Sequence, residues 1–178
     1  DENKIPNANI TALFEDSQHR IWVGTELGLH LLQSDKNSFQ SFYFDGENQH
    51  SLNDNSILSI AEDQEQHIWV GTPQGLNRID AKLNVTRVVG DNKLESELIN
   101  TIQIDDNGIL WLGTSKGISR VEVVQKQASS TVEILQSINY SFDEQLTNTT
   151  FYQSSHLQSN GKFVFQSAAS PIFFDPDS

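Results

Sequence analysis

The pentapeptide Ile21-Trp22-Val23-Gly24-Thr25 recurs as Ile68-Trp69-Val70-Gly71-Thr72 and again as Leu110-Trp111-Leu112-Gly113-Thr114. Beyond each copy, at a fixed offset, a glycine precedes an aliphatic residue: Gly28-Leu29, Gly75-Leu76 and Gly117-Ile118. The tryptophans lie 47 and 42 residues apart. Counting back twelve positions from each tryptophan gives Ile10, Ile57 and Ile99; nine gives Leu13, Ile60 and Ile102; six gives Asp16, Asp63 and Asp105. One gapless register fits all three copies. A unit of this size cannot bury its own apolar residues, so the units must stack on one another.

Each unit reads as strands. Polar sets with turn formers, Ser17-Gln18-His19-Arg20, Gln64-Glu65-Gln66-His67 and Asp106-Asn107-Gly108-Ile109, separate a first strand from the tryptophan strand and predict a hairpin. The Gly-Thr pair and a two-residue link lead into a third strand, expected to end at Leu32, Ile79 and Val121. Glycine suits the opening of that strand because positive φ or close approach costs it little. A fourth, more variable strand is expected around residues 38–44, 85–89 and 131–138. The apolar run Ile21-Trp22-Val23 is continuous where a half-wet strand would alternate, which predicts sheets covered on both faces. No segment carries a capped helical stripe. The expectation is an all-β chain, a partial β-propeller of about four four-stranded antiparallel blades near 10–50, 57–95, 99–140 and 148–178. The last is degenerate: Asn160-Gly161 and Phe163-Val164-Phe165 stand for hairpin and tryptophan strand, Gln166-Ser167 for Gly-Thr, and Ser170 for the later glycine.

Eleven basic against 24 acidic residues give a formal charge of −13, which repels phosphate backbones and anionic lipid, so no nucleic-acid partner is expected. There is no cysteine, hence no disulfide scaffold or thiolate metal site. No stretch approaches the roughly 20 apolar residues that span a bilayer as a helix. The chain opens inside repeat-like sequence, so its ends look cut from something longer.

The pattern of Asp, a short spacer, Ile-Trp-Val-Gly-Thr, two residues and Gly-Leu resembles the two-component regulator propeller repeat over residues 10 to about 122. Asp143 to Phe151, with Leu146, Asn148 and Phe151, and Asn160 to Pro176, with Phe174-Asp175-Pro176, are similar to that family's closing blade, although Gln145 stands where glycine is usual. The resemblance implies an extracytoplasmic, commonly periplasmic, sensor region of a bacterial transmembrane signalling protein. Its parent would carry a histidine kinase or diguanylate cyclase output domain, and the chain would be the C-terminal part of a larger, typically seven-bladed, ring.

The recurring residues are read as structural: Trp22, Trp69 and Trp111 as packing between blades, Gly28, Gly75 and Gly117 as turn or close-approach positions, Gly24, Gly71 and Gly113 as part of the repeated strand motif, and Asp16, Asp63 and Asp105 as turn caps. Stacking of the indoles on sugar is the rival for the first set. Paired carboxylates in Glu15-Asp16, Glu62-Asp63 and Asp105-Asp106 are the rival for the last, but a catalytic pair or calcium site has no need of three copies. The histidines His19, His30, His50, His67 and His156 share no spacing and predict no metal site. No catalytic residue and no cofactor is expected. Asp106-x-Gly108-x-x-Trp111 matches part of the Asp-box of sialidase-type glycosidases, yet Ser17 and Gln64 replace its aspartate elsewhere. Arg78 and Arg120 share one repeat position instead of converging as a carboxylate clamp. A protein-interaction scaffold is the third class, with variable loops at 45–55, 90–98 and 139–150 carrying Phe44, Leu52, Tyr140 and Phe142. The reading is a non-catalytic sensor segment that binds a small molecule, an oligosaccharide or a protein. Its two bare blade faces are expected to drive self-association.

Overall fold

The computed structural model describes residues 4–5, 8–34, 37–90, 93–94, 96–126, 131–140, 156–157, 162–166 and 171–174. All regular structure among them is β. The first unit comprises β1 (Ile10–Glu15), β2 (Ile21–Thr25), β3 (Gly28–Leu32) and β4 (Phe39–Phe42), an antiparallel sheet in sequence order. The second comprises β5 (Ser59–Glu62), β6 (Ile68–Thr72), β7 (Gly75–Ile79) and β8 (Val85–Val89). The third comprises β9 (Ile99–Ile104), β10 (Leu110–Thr114), β11 (Gly117–Lys126) and β12 (Thr131–Tyr140). A three-stranded sheet of β13 (His156–Leu157), β14 (Phe163–Gln166) and β15 (Pro171–Phe174) ends the chain. The family-like residues between 141 and 155, Asn160-Gly161 and Asp175-Pro176 lie outside the described residues.

Three departures from the strand reading have physical causes. The fourth strand of the first unit is shorter than expected, because Phe44 leaves the ladder to bridge Leu52 in the following loop. The third strand of the third unit does not end at Val121 but runs on to Lys126, paired along its whole length with β12 across a bulge at Glu122/Val123. The extended hairpin then reaches the neighbouring unit. Val132 and Glu133 pair in parallel with Val88 and Val89, so the second and third units share one eight-stranded sheet. The valine and isoleucine content of these segments gave no hint of that pairing, since β-branched residues favour extension without choosing a partner.

The apolar residues are buried between units. Trp22, Leu29, Leu31 and Phe42 of the first pack with Ile57, Ile68, Val70 and Ile79 of the second. Trp69 and Leu76 meet Ile99, Ile102, Leu110 and Leu112 of the third. Trp111 and Ile118 meet Phe163 and Phe165 of the last. The glycine two places after the tryptophan lets these layers approach. A Cβ on Gly24 would stand 2.7 Å from Cγ2 of Ile57, and one on Gly71 would stand 2.7 Å from the carbonyl oxygen of Ile99. Ile57 and Ile99, each twelve places before a tryptophan, thus sit over the glycine of the preceding unit. The backbone N–H of Ile57 also donates to the Thr25 carbonyl at 2.9 Å, and the Thr11 hydroxyl donates to the Ile57 carbonyl at 2.6 Å.

Candidate functional site

The recurring polar residues close turns. In the first hairpin, Asp16 Oδ1 accepts the amides of Gln18 and Arg20 at 3.0 and 2.9 Å, while Oδ2 accepts the Trp22 indole N–H at 2.8 Å. Asp63 does the same for Glu65, His67 and Trp69, and Asp105 for Asn107, Ile109 and Trp111. A residue of positive φ, His19, Gln66 or Gly108, completes each turn. One carboxylate therefore ties the turn amides to the indole that packs on the next unit. Burial pushes the Asp16 carboxyl up, but the Trp22 indole, the Arg20 amide and the Arg20 guanidinium outweigh it and hold the group below its ordinary value. Asp105→Ala is expected to cost about 2–4 kcal/mol, since it strands an indole N–H and two amides. Asp105→Asn should cost less, because its carbonyl oxygen can still accept the amides; urea unfolding of the two variants checks the order.

A second device recurs at the other end of the tryptophan strand. The Thr25 hydroxyl donates to the Gly28 carbonyl at 3.0 Å and accepts the Leu27 amide at 3.0 Å. Thr72 and Thr114 repeat both bonds with Gly75 and Gln74, and with Gly117 and Lys116. The glycines have φ of 141°, 113° and 126°. The Gly-Thr-x-x-Gly run is thus a closed strand turn. The carboxylates and threonines are committed to the backbone and are not arranged around a common point.

The side chains that do face a common space belong to the first strands. β1, β5 and β9 lie beside one another and line a groove of about 400 Å³. Its wall mixes apolar Leu13, Phe14 and Ile60 with polar Ser59, Thr101 and Gln103, and Glu62 is its one charged residue. Glu62 is already engaged, accepting the Ser17 amide and hydroxyl, each at 2.7 Å. A lining that mixes polar and apolar side chains suits recognition of a neutral ligand.

The rim loop at 45–55 is anchored. Leu52 is fully buried, and Asn53 is bonded to Asn77 and to the Thr72 hydroxyl. Arg87 donates to carbonyls of Asp45, Asn48 and Ser51 and lies 5.3 Å from the Phe44 ring centroid. Tyr140 stacks on Trp111 in the last joint, and Phe142 lies outside the described residues.

Among the described residues no group of ligating side chains could hold a metal ion. His19 pairs with Glu15 at 2.6 Å and His67 with Asp63 at 3.1 Å. His30 does share a repeat position, eight places after the tryptophan, with Asn77 and Ser119. Counting from the tryptophans, not between histidines, would have shown it. It is fully buried, its Nδ1 lies 2.8 Å from the Ser41 hydroxyl, and the Tyr43 ring stands edge-on to it. Burial lowers its pKa from 6.5. A folded-state pKa below the unfolded one means that neutral His30 stabilises fully above about pH 6.5 and that this is lost as pH falls through the folded value. His30→Asn, the residue of the second unit, should flatten the decline in Tm between pH 7.5 and 5.0.

The rival glycosidase pattern finds Asp106 exposed on a turn, where its backbone carbonyl accepts Nε2–H of the Gln64 side chain at 2.8 Å. Arg78 and Arg120 sit opposite Trp69 and Trp111 in the strand ladders and bond to Gln125 and Glu122. They do not converge.

No curated protein matches the chain. The extracellular domain of a protein assigned to the hybrid two component systems of B. thetaiotaomicron shares the fold, with a TM-score of 0.60 at 18% identity over 98% of this chain and 29% of that one. A catalytically inactive virginiamycin B lyase from Staphylococcus aureus, solved with quinupristin, gives 0.67 at 10% over 98% and 55%. A protein of unknown function from Bacteroides caccae gives 0.63 at 11% over 98% and 59%. The chain spans less than two thirds of each, and at such identities the likeness is one of propeller fold. Residues 4–26, 51–74 and 93–116 each match the model of the two component regulator propeller, and each match takes in a first strand, the Asp-capped hairpin and the Trp-x-Gly-Thr strand or the approach to them. The chain thus carries three repeats that match the two component regulator propeller family.

Proposed function

We propose that this chain is a non-catalytic, extracytoplasmic sensor segment of a bacterial transmembrane signalling protein, which binds a small molecule, an oligosaccharide or a protein and passes that event to a cytoplasmic output domain. The threefold family match carries the reading. The groove between β1, β5 and β9 is the surface best suited to a neutral, partly apolar ligand, because its polar groups are uncharged apart from an engaged Glu62. Binding would bias the packing of one sheet on the next, and such a preference is all that a ligand needs to shift a signalling equilibrium.

Thermal shift against a panel of nutrient sugars, oligosaccharides and peptides tests the binding half. A ligand at a hundred times its Kd adds about 2.7 kcal/mol, enough to move Tm by several degrees. Gln103→Trp, which fills the groove from β9, should abolish the shift. A panel with no response, or a shift indifferent to that substitution, counts against the groove. Hydrolysis of the same sugars would overturn the non-catalytic reading, and a full-length protein whose signal response survives deletion of the repeats would overturn the sensor.

A further inference from the structure

The three hairpin tips share an aspartate cap but differ in what the cap encloses. Four places before the tryptophan stand Gln18, Glu65 and Asn107, and the residue of positive φ that follows each is His19, Gln66 or Gly108. Of the three tips, only the last sets an asparagine side chain beside the backbone nitrogen of a glycine. That pairing is reactive, because the nitrogen of the following residue can attack the asparagine amide carbon, and glycine, lacking a Cβ, leaves its nitrogen unhindered and its backbone free to reach the attacking geometry.

The tip is open to water. Asn107 and Gly108 are both exposed, and a Cβ on Gly108 would meet nothing within 4 Å. The Asn107 backbone N–H donates to Asp105 Oδ1 at 2.9 Å, while its side-chain amide takes no partner among the described residues. Restraint comes from the cap. The Gly108 N–H donates to the Asp105 carbonyl at 2.9 Å, and Asp105 Oδ1 also accepts the Ile109 amide at 3.0 Å. The Gly108 nitrogen is thus occupied while the turn is closed, and its reaction follows the population in which the turn is open.

We propose that Asn107 is a site of spontaneous deamidation, held in check by the Asp105 cap, whose product loosens the third hairpin tip. The Gly108 nitrogen gives up its proton and bonds to Cγ of Asn107. The side-chain nitrogen leaves as ammonia, taking up a proton in turn, and a cyclic succinimide remains. Water then opens the ring at either carbonyl, giving aspartate at one and isoaspartate at the other. The main chain of isoaspartate runs through Cγ and is longer by one carbon, so Asp105 Oδ1 can no longer hold both turn amides. Either product also sets a third carboxylate beside Asp105 and Asp106. The change reaches beyond the turn, because the Asp106 carbonyl accepts Nε2–H of Gln64 in the second unit at 2.8 Å and Asp105 Oδ2 accepts the Trp111 indole N–H at 3.0 Å.

Incubation of the 178-residue chain at mildly alkaline pH, where the amide nitrogen loses its proton more readily, followed by peptide mapping in a mass spectrometer, tests the proposal. Mapping separates Asn107 from the other Asn-Gly pair, Asn160-Gly161. Asn107 should convert to aspartate and isoaspartate in the folded chain, at least about tenfold more slowly than in urea, since the closed turn must open first. Asp105→Ala should bring the folded rate towards the unfolded one. Asn107→Gln, the residue of the first unit, should abolish conversion at this tip and melt with the unmodified chain, whereas the isolated isoaspartyl form should melt below both. The comparison of folded with urea-unfolded chain stands even where Asp105→Ala fails to fold. An Asn107 that stays intact in the folded chain, conversion as fast folded as unfolded, a folded Asp105→Ala variant with an unchanged rate, or an isoaspartyl form as stable as the unmodified chain each overturns the proposal.

Discussion

Trp69→Ala is expected to remove about 3–5 kcal/mol of stability, the range for deleting a large aromatic from a packed core. The indole is 2% exposed, lies against Ile99, Ile102 and Leu110 of the next unit, and donates to Asp63 Oδ2 at 2.8 Å. Truncation would hollow the joint and leave that oxygen with only His67. Because natural domains carry about 5–15 kcal/mol in total, the second and third units should part well before global unfolding of the wild type. Trp69→Phe separates the two contributions: it keeps most of the apolar contact and loses the N–H, and should cost about 1–2 kcal/mol beyond the lost area. Urea titration followed by tryptophan emission distinguishes these outcomes. A Trp69→Ala variant that melts within about 1 kcal/mol of wild type would show that the indole is not what holds the units together.

Gly71→Val should be comparably severe by another route. A Cβ at that position would stand 2.3 Å from the Ser59 hydroxyl oxygen and 2.7 Å from the Ile99 carbonyl oxygen. The hydroxyl can rotate away, but the carbonyl belongs to the backbone of the next unit, so the units must separate. Overpacking of this kind costs about 1–3 kcal/mol and more where backbone has to move. Gly24 is met by side-chain carbons, Cγ2 of Ile57 and Cβ of Ala12, so Gly24→Ala should be milder. Gly108→Ala is the control for backbone strain alone: nothing lies within 4 Å, and only its φ of 77° opposes a side chain, at a cost of about 1–2 kcal/mol. The expected order of stability loss is Gly71→Val above Gly24→Ala, with Gly108→Ala set by its dihedral. Thermal melts of the three variants test it.

The blade pattern was legible because every apolar position recurs in one register, and repetition removes the ambiguity that a single short apolar run leaves. The capping role of Asp16, Asp63 and Asp105 was legible for the same reason, and their indole bonds follow from the fixed six-residue offset. The two glycines of each motif looked alike in sequence. The structure divides them: Gly24 and Gly71 admit the neighbouring layer, whereas Gly28, Gly75 and Gly117 take positive φ. A fourth turn cap, Asp80, escaped notice because no tryptophan follows it; its carboxylate accepts the amides of Lys82 and Asn84, with Leu83 at a φ of 67°. The groove escaped notice because it is lined by three strands far apart in sequence, and no local signal tells which first strands will meet.

The parallel seam between β8 and β12 gives the chain unequal seams. Two units are sewn by backbone as well as by side chains, while the first sheet is held by a side-chain joint and a few threaded hydrogen bonds. Heat or pulling should therefore peel the first sheet away and leave the doubled sheet intact, so that amides of β6 to β11 exchange last and together. If a message travels along this molecule, the doubled sheet would behave as one stiff plate and the first joint as its hinge.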